Sequence, residues 1–443
     1  MTGNNLHPKT WRDYQKELKR RSRIRSCWRG APRLGLYGVA TFLAVVVVFF
    51  SGSWLLANLG DAAIPRTEPP KQPEPQTWSK KDLPELLKDI PLDLHEENGS
   101  LTISKGGKHY TVEVSIDHAL QAFISRLLRR SLTHEAAAIV LRPENGQILA
   151  MTDFRNGDTE KEDNLCLKAG FPAASLFKIV SAAAAIEACD FTPQKPLTYS
   201  GRRYTLYKSQ LKEKRGRWDT QVTFEKAFSK SINPVFGKMG IYDLGQDLLT
   251  QYAGRFLFNA AIPFDLPLEA SNTQIPEDDF GLAEIASGFN KTTLISPLHA
   301  ALMTSAVVNK GTVMKPWVVK CVRDETDHRV YQVTPSSLTR VIEQSTAENL
   351  EALMAQTVAS GTCSRSFRRL LAKKAFKAIK LGAKTGTIND RDGRYKIDWL
   401  AAYALPKDGR GGICVTILAV HGEKLGIRAN DLGREIIKHY FSS

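Results

Sequence analysis

The chain has 443 residues, with 61 Lys and Arg against 46 Asp and Glu and a formal net charge of +15. A hydrophobic fraction of 42% and a charged fraction of 24% are those of an ordinary globular protein, with material for one large domain or two medium ones. The charge raises nucleic acid or an anionic surface as a partner, yet the excess is crowded into the first segment. There Lys9, Arg12, Lys16, Lys19, Arg20, Arg21, Arg23, Arg25, Arg29 and Arg33 face only Asp13 and Glu17. A nucleic-acid reader would carry the bias on a folded face with aromatics, so that class is set aside. The six cysteines form no Cys-x-x-Cys pair and do not cluster with the nine histidines, so spacing indicates neither a zinc site nor a disulfide framework.

Leu34 to Leu59 carries no charged residue and is long enough to cross a bilayer core of about 30 Å as a helix. The basic block of residues 1–33 before it places the N-terminus in the cytoplasm and the rest outside. A cleaved signal peptide is the alternative, but the apolar stretch exceeds a signal core and Asp61-Ala62-Ala63 is a poor cleavage site. A proline-rich linker, residues 60–78, follows as an extended spacer. Residues 79–114 then read as a small pre-domain, with a short helix after Ser79. A hairpin pairs Leu101–Ile103 with Tyr110–Val114 across Gly106-Gly107.

Residues 115–443 form the main domain. Asp117 can cap a helix carrying Leu120, Phe123, Ile124, Leu127 and Leu128 at helical spacing. Ala136–Leu141 and Gln147–Met151 flank the turn signal Glu144-Asn145-Gly146. Phe171-Pro172-Ala173-Ala174-Ser175-Leu176-Phe177-Lys178 opens into an alanine-rich helix, with Ser175 at or near its first turn. Thr223 can cap a helix running to Ser231, and helical material fills the middle of the chain. Trp399–Leu405 and Ile413–Val420 read as two buried strands, and Asn430 begins a closing amphipathic helix. A hairpin early, helices between and strands late predict an α/β (α+β) fold with one sheet drawn from both ends of the domain.

A serine hydroxyl at a helix N-terminus with a lysine one turn deeper can build a nucleophile without histidine, provided the amine is neutral. Ser-x-x-Lys alone is weak, being expected about twice by chance, and Ser209-Gln210-Leu211-Lys212 is a second copy. Two further pieces support the Ser175 copy: Ser231-Ile232-Asn233 before Pro234, and Lys384-Thr385-Gly386-Thr387 before the late strands. Taken singly, these read as a helix-to-turn transition and a strand edge with a glycine. It is their order and spacing together that carry weight.

That set resembles the transpeptidase domain of penicillin-binding proteins. The likeness covers about Ser115 to Ser443. It includes Ile116-Asp117-His118-Ala119-Leu120-Gln121, the run Arg142–Met151, and Ile295-Ser296-Pro297-Leu298. The resemblance implies a penicillin-binding protein/β-lactamase-like fold, an antiparallel sheet flanked by helices with an all-helical subdomain. It implies a membrane-anchored D,D-transpeptidase of peptidoglycan stem peptides, acylated by β-lactams and needing no cofactor or metal. Ser175 would be the nucleophile, Lys178 the general base, Ser231 a proton relay and Asn233 a ligand of substrate backbone and Lys178. Lys384 would keep Lys178 neutral and attract the substrate carboxylate, with Thr385 and Thr387 as its hydroxyl partners and Gly386 allowing close approach. Backbone N–H groups of Ser175 and Thr387 would form the oxyanion hole. Ala173-Ala174 and Leu176 depart from the usual pattern at the mouth of the site. The stretch before the domain is too short for a glycosyltransferase and for the usual class B pedestal, so the chain resembles a compact monofunctional class B protein. A separate glycosyltransferase and cell-wall synthesis complex would be its partners. A D,D-carboxypeptidase using the same residues, or a sensor or division scaffold that binds without turnover, are the competing readings.

Overall fold

The computed structural model describes residues 78–88, 100–157, 164–213, 216, 219–409 and 411–442. The basic segment, the apolar stretch 34–59 and the linker through residue 77 lie outside the described residues. Among the described residues no helix is long and apolar enough to cross a membrane.

Among the described residues, nine strands build the two larger sheets: β1 (Ser100–Lys105), β2 (Lys108–Val114), β3 (Glu135–Leu141), β4 (Ile148–Arg155), β5 (Val319–Asp324), β6 (Arg329–Gln332), β7 (Ile379–Asn389), β8 (Lys396–Pro406) and β9 (Ile413–His421). The smaller sheet has the order β1-β2-β5-β6. Its hairpin takes the expected register, Leu101 opposite Val112 and Ile103 opposite Tyr110. β2 also pairs with β5, so this sheet draws strands from both sides of the boundary expected at residue 115.

The central sheet is antiparallel throughout, in the order β7-β8-β9-β3-β4. Its pairing of β9 with β3 joins the two ends of the domain, as the late and early apolar runs predict. Alternation along each strand feeds two cores. Ala136, Ala138, Val140, Leu400, Ala402, Val415 and Ile417 enter one, while Ala137, Ile139, Trp399, Ala401 and Leu418 enter the other. Small alanines on both faces let helices approach closely. Gly433 in the last helix is the limit of this, since a Cβ there would lie 2.1 Å from Leu400 Cδ2.

The helices that matter for the site are α1 (His118–Arg129), α2 (Lys178–Ala188), α3 (Phe224–Ser229), α4 (Asn233–Met239), α5 (Asp279–Ser287), α6 (Pro297–Val308), α7 (Gln344–Ala359) and α8 (Ala429–Tyr440). Asp117 caps α1 through Leu120 N at 3.0 Å, as the sequence predicts. α1 and α8 pack on one face of the sheet and α6 on the other. At the outer edge, β4 is closed by Gln121, whose side chain both donates to Met151 O and accepts from Met151 N at 2.9 Å. The segment between β4 and β5 is mainly helical but not all-helical. Two-residue strands pair Phe171–Pro172 with Leu294–Ile295, and Pro196–Tyr199 pairs with Thr220–Thr223.

Candidate active site

Ser175 lies just ahead of α2, in a 3-10 turn spanning Ala174–Phe177, and Lys178 is the first residue of the α-helix. The turn is entered through Ala174 at φ +48°, a conformation that favours glycine. Two neighbours hold it there. Trp399 Nε1 donates to Pro172 O at 2.9 Å, and Gly288 presses against the turn from the end of α5. Gly288 has φ +62°, and a Cβ on it would lie 2.0 Å from Ala174 O. Only glycine satisfies both demands at that position.

Lys178 is fully buried. Its Nζ lies 2.9 Å from Ser175 Oγ, 2.7 Å from Asn233 Oδ1 and 2.5 Å from Ser287 O, and 5.3 Å from the Phe236 ring centroid. Burial, with the nearby Lys384 charge second, pushes its pKa well below the usual lysine value. A neutral amine has two N–H donors and one lone pair. Asn233 Oδ1 and Ser287 O take the two donors, which leaves the lone pair for the Ser175 hydroxyl. Ser287 O escapes sequence reasoning because a backbone carbonyl has no side-chain signature. The Ser287-Gly288 helix stop was its one legible trace.

Thr223 caps α3 through Lys226 N at 3.2 Å, as expected, but the helix ends at Ser229 rather than Ser231. Ser231 sits in the left-handed region at φ +53°, and Asn233 starts α4 with Pro234 behind it. The tight reversal turns Ser231 toward β7 and Asn233 toward α2. The reversal is clamped by Thr362 N donating to Ser229 O at 3.0 Å. Gly361 allows that contact, since a Cβ there would lie 2.4 Å from Ser229 O.

β7 is the edge strand, and its alternation puts Lys384 and Gly386 on the Ser175 face. Lys384 Nζ donates to Ser231 Oγ at 3.0 Å and Thr385 O at 2.9 Å, above Phe228 at 5.5 Å. Burial pulls its pKa down to about 7. A Cβ at Gly386 would lie 3.4 Å from Ser175 N and 3.1 Å from Ala174 Cβ, so the bare strand backs directly on the Ser175 turn. Thr385 and Thr387 alternate to the other face. Thr385 Oγ1 pairs with Thr362 Oγ1 at 2.7 Å, and Thr387 Oγ1 donates to Asp398 Oδ1 at 2.9 Å.

Behind Thr387 lies a second ionisable cluster that spacing did not reveal. Asp398 is buried at 3% exposure and accepts from Arg428 Nε at 2.6 Å, Arg428 Nη2 at 2.8 Å and Ala429 N at 3.0 Å. Burial opposes its ionisation, but Arg428 and the remaining donors outweigh it and hold the carboxyl well below the usual range. Asp398 is opposite Thr387 across the β7–β8 ladder, whereas Arg428 comes from beyond β9. No local pattern links them.

The arrangement brings Ser175, Lys178, Ser231, Asn233, Lys384 and Gly386 to one face of the β7 edge. The second Ser-x-x-Lys copy stays apart, in a 3-10 turn at Lys208–Leu211. Chemically, a serine beside a neutral amine and exposed strand backbone can attack a carbonyl and hold the oxyanion that forms.

The family described as penicillin binding protein transpeptidase domain matches residues 136–438. Stage V sporulation protein D of Bacillus subtilis is 27% identical over 336 residues, covering 68% of this chain and 50% of that one. Peptidoglycan D,D-transpeptidase PbpA of Mycolicibacterium smegmatis is 24% identical over 336 residues, covering 68% of this chain and 66% of that one. The chain thus spans about half to two thirds of the length of these relatives. Among solved structures, the D,D-transpeptidase domain of a peptidoglycan glycosyltransferase from Eggerthella lenta superposes with TM-score 0.62 at 21% identity, over 75% of this chain and 82% of that one. The penicillin G acyl-enzyme complex of penicillin-binding protein A from M. tuberculosis superposes with TM-score 0.60 at 21% identity, over 75% and 80%.

Proposed function

This chain belongs to the penicillin-binding protein transpeptidase family, and from that premise we propose that it is a peptidoglycan D,D-transpeptidase working through a Ser175 acyl-enzyme. We further propose that residues 34–59 anchor it in the cytoplasmic membrane with the catalytic domain outside, where a separate glycosyltransferase supplies its glycan strands. The observation that carries the reading is the Lys178 amine, buried, 2.9 Å from Ser175 Oγ, with its two N–H donors already directed elsewhere.

Ser175 Oγ attacks the penultimate D-alanine carbonyl while Lys178 Nζ takes its proton. Backbone N–H groups of Ser175 and Thr387 hold the oxyanion, each donor worth about 3 kcal/mol. Collapse breaks the amide. The leaving amine takes a proton relayed through Ser231, which Lys384 orients, and terminal D-alanine departs, leaving the ester on Ser175. The amine of a neighbouring stem then attacks the ester, gives its proton to Lys178 and releases Ser175 with the new peptide bond. The substrate carboxylate meets Thr385 and Thr387 at the open edge of β7, where Thr387 is exposed. A β-lactam acylates the same oxygen by ring opening, and its leaving amine stays tethered.

Labelling with a fluorescent penicillin tests the nucleophile. Wild-type protein should be labelled and Ser175→Ala should not; folded wild type that takes no label sinks the acyl-enzyme reading. Incubation with a D-alanyl-D-alanine peptide and an acceptor amine then identifies the reaction. Crosslinked product marks a transpeptidase, whereas free D-alanine alone marks a carboxypeptidase.

A further inference from the structure

A second basic run lies between Glu351 and Asp390, a stretch that holds no Asp or Glu. It includes the helix Ser364–Leu371 and the 3-10 turn Lys374–Ala378, which lead into β7. Phe367, Leu370 and Phe376 are buried and fix these elements on the sheet, which leaves Arg365, Arg368, Arg369, Lys373, Lys374 and Lys377 exposed. Among the described residues none of these six has a carboxylate partner. The carboxylates of the neighbouring helices are already taken, Asp431 and Glu435 on α8 by Arg434 and Lys438, and Glu351 on α7 by Lys380. At the β8–β9 turn Lys407 and Asp408 adjoin the run, with Lys407 N donating to Ala378 O at 2.8 Å, and offset each other in charge.

Where this run sits in the fold points to its partner. β7 begins at Ile379, opposite Pro406, and Ala404 is opposite Ile413. At the same end of the central sheet Leu141 pairs with Cys414 on one side and Ile148 on the other. The basic run therefore stands at the β7 edge of that end. At its β4 edge, four strand spacings or about 19 Å away, Ile148 N donates to Trp317 O at 2.9 Å. Beside Trp317, Lys80 Nζ donates to Pro316 O at 2.6 Å and pairs with the buried Asp265 at 2.7 Å. There the chain leaves the described fold at Trp78, and residues 60–77 separate it from the apolar stretch 34–59. Gly386 and the Ser175 turn it backs lie seven residues along β7 from Ile379, about 23 Å from that end.

We propose that the basic face of residues 364–380 rests on the anionic phospholipid headgroups of the membrane that holds residues 34–59. The inference rests on the reading of that stretch as an anchor. A spacer of residues 60–77 reaches about 55 Å when extended, so the tether alone does not set how the domain stands. A basic face at the end where the chain leaves the fold does set it. Exposed Lys and Arg are drawn to an anionic surface, and the attraction fades within about 10 Å at 0.1 M salt. The contact is electrostatic rather than an insertion, since none of the exposed large apolar side chains falls within 364–380. A soluble polyanion matches the charge equally well, but it gives no reason for the charge to share an end with Trp78. Held this way, the domain presents the open edge of β7 at a fixed height above the headgroups.

The test reconstitutes the full chain in nanodiscs of phosphatidylcholine, with or without phosphatidylglycerol, and follows acetylation of single lysines by a water-soluble amine reagent in mass spectrometry. Lys374 should react about tenfold more slowly in the anionic discs, and about 0.5 M salt should remove the difference. Lys424, exposed beyond β9 at the other end of the sheet, should react alike in both. Arg365→Glu with Arg369→Glu and Lys377→Glu should abolish the protection of Lys374 while fluorescent-penicillin labelling, which reports the fold, is kept. Equal reaction of Lys374 in the two discs, or protection that survives the triple reversal, overturns the proposal. Protection given by soluble linear polyphosphate but not by the anionic discs overturns it in favour of a polymer. A chain that elutes with the discs yet shows no protection fails this inference alone. A folded chain that does not elute with the discs fails the anchor reading, and this inference with it.

Discussion

Two buried ionisable clusters flank β7, and they solve the same desolvation problem in opposite ways. On the Ser175 face, Lys178 and Lys384 are both fully buried and, among the described residues, bond only hydroxyls, an amide oxygen and backbone carbonyls. With no carboxylate partner, burial drives both toward the neutral amine. On the other face, Asp398 is as deeply buried but grips the Arg428 guanidinium through two N–H groups and stays ionised. A neutral amine can accept a proton, and a bidentate ion pair holds geometry. The difference separates a group able to take a proton from one that keeps the start of β8 and the start of α8 together.

Removing the amine tests the comparison most severely. Lys178→Met should lower the penicillin acylation rate by about 10³- to 10⁴-fold in stopped-flow labelling, while the circular dichroism melt stays cooperative. A loss under tenfold would mean that the base lies elsewhere. Next, a carboxylate can be given to the lysine cluster. Asn233→Asp should restore Lys178 to its cationic form and slow acylation about 100-fold at pH 7. Its rate should recover partly as the pH rises, and a flat profile would contradict the ionic account.

Taking the carboxylate from the other cluster is a stability test. Asp398→Asn weakens the acceptor of Ala429 N and of Arg428, whose side chain is 41% exposed to water, so it should cost about 2 kcal/mol in urea unfolding. Because the folded carboxyl is depressed, its contribution is present above the ordinary carboxylate pKa and is lost as the pH falls through the folded value. That acid-side loss should be missing from the variant. The smallest effect is expected in the wild-type pH–rate profile. Lys384 titrates at about 7 and Lys178 is depressed, so acylation should fall as the pH drops below neutrality. The apparent values belong to the lysine pair, not to either residue.

Much of the frame was legible because it is local. Asp117 and Thr223 cap helices through N–H groups three residues on, Gly106-Gly107 and Asn145-Gly146 reverse the chain, and continuous apolar runs become β3, β8 and β9. Ser175 and Lys178 were legible as a pair for the same reason, since helical geometry alone puts them together. Where helices end was less legible. α3 stops at Ser229, whose carbonyl is taken by Thr362 N more than a hundred residues later in a contact that Gly361 permits.

The sequence by itself determined which residue types are available for the chemistry, the period of each element and so which side chains share a face. It also determined the early-and-late strand pattern that makes one sheet. Tertiary structure alone decided three things. Lys178 has its pKa pushed down by burial and by the Lys384 charge, and its Nζ meets two acceptors, Asn233 and Ser287, drawn from two other helices. Thr385 and Thr387 turn to the face that holds Thr362 and Asp398. Asp398 is ionised by an arginine brought from beyond β9. The reason is the same in each case. A titration state depends on everything within a few ångströms, and those neighbours are far apart along the chain.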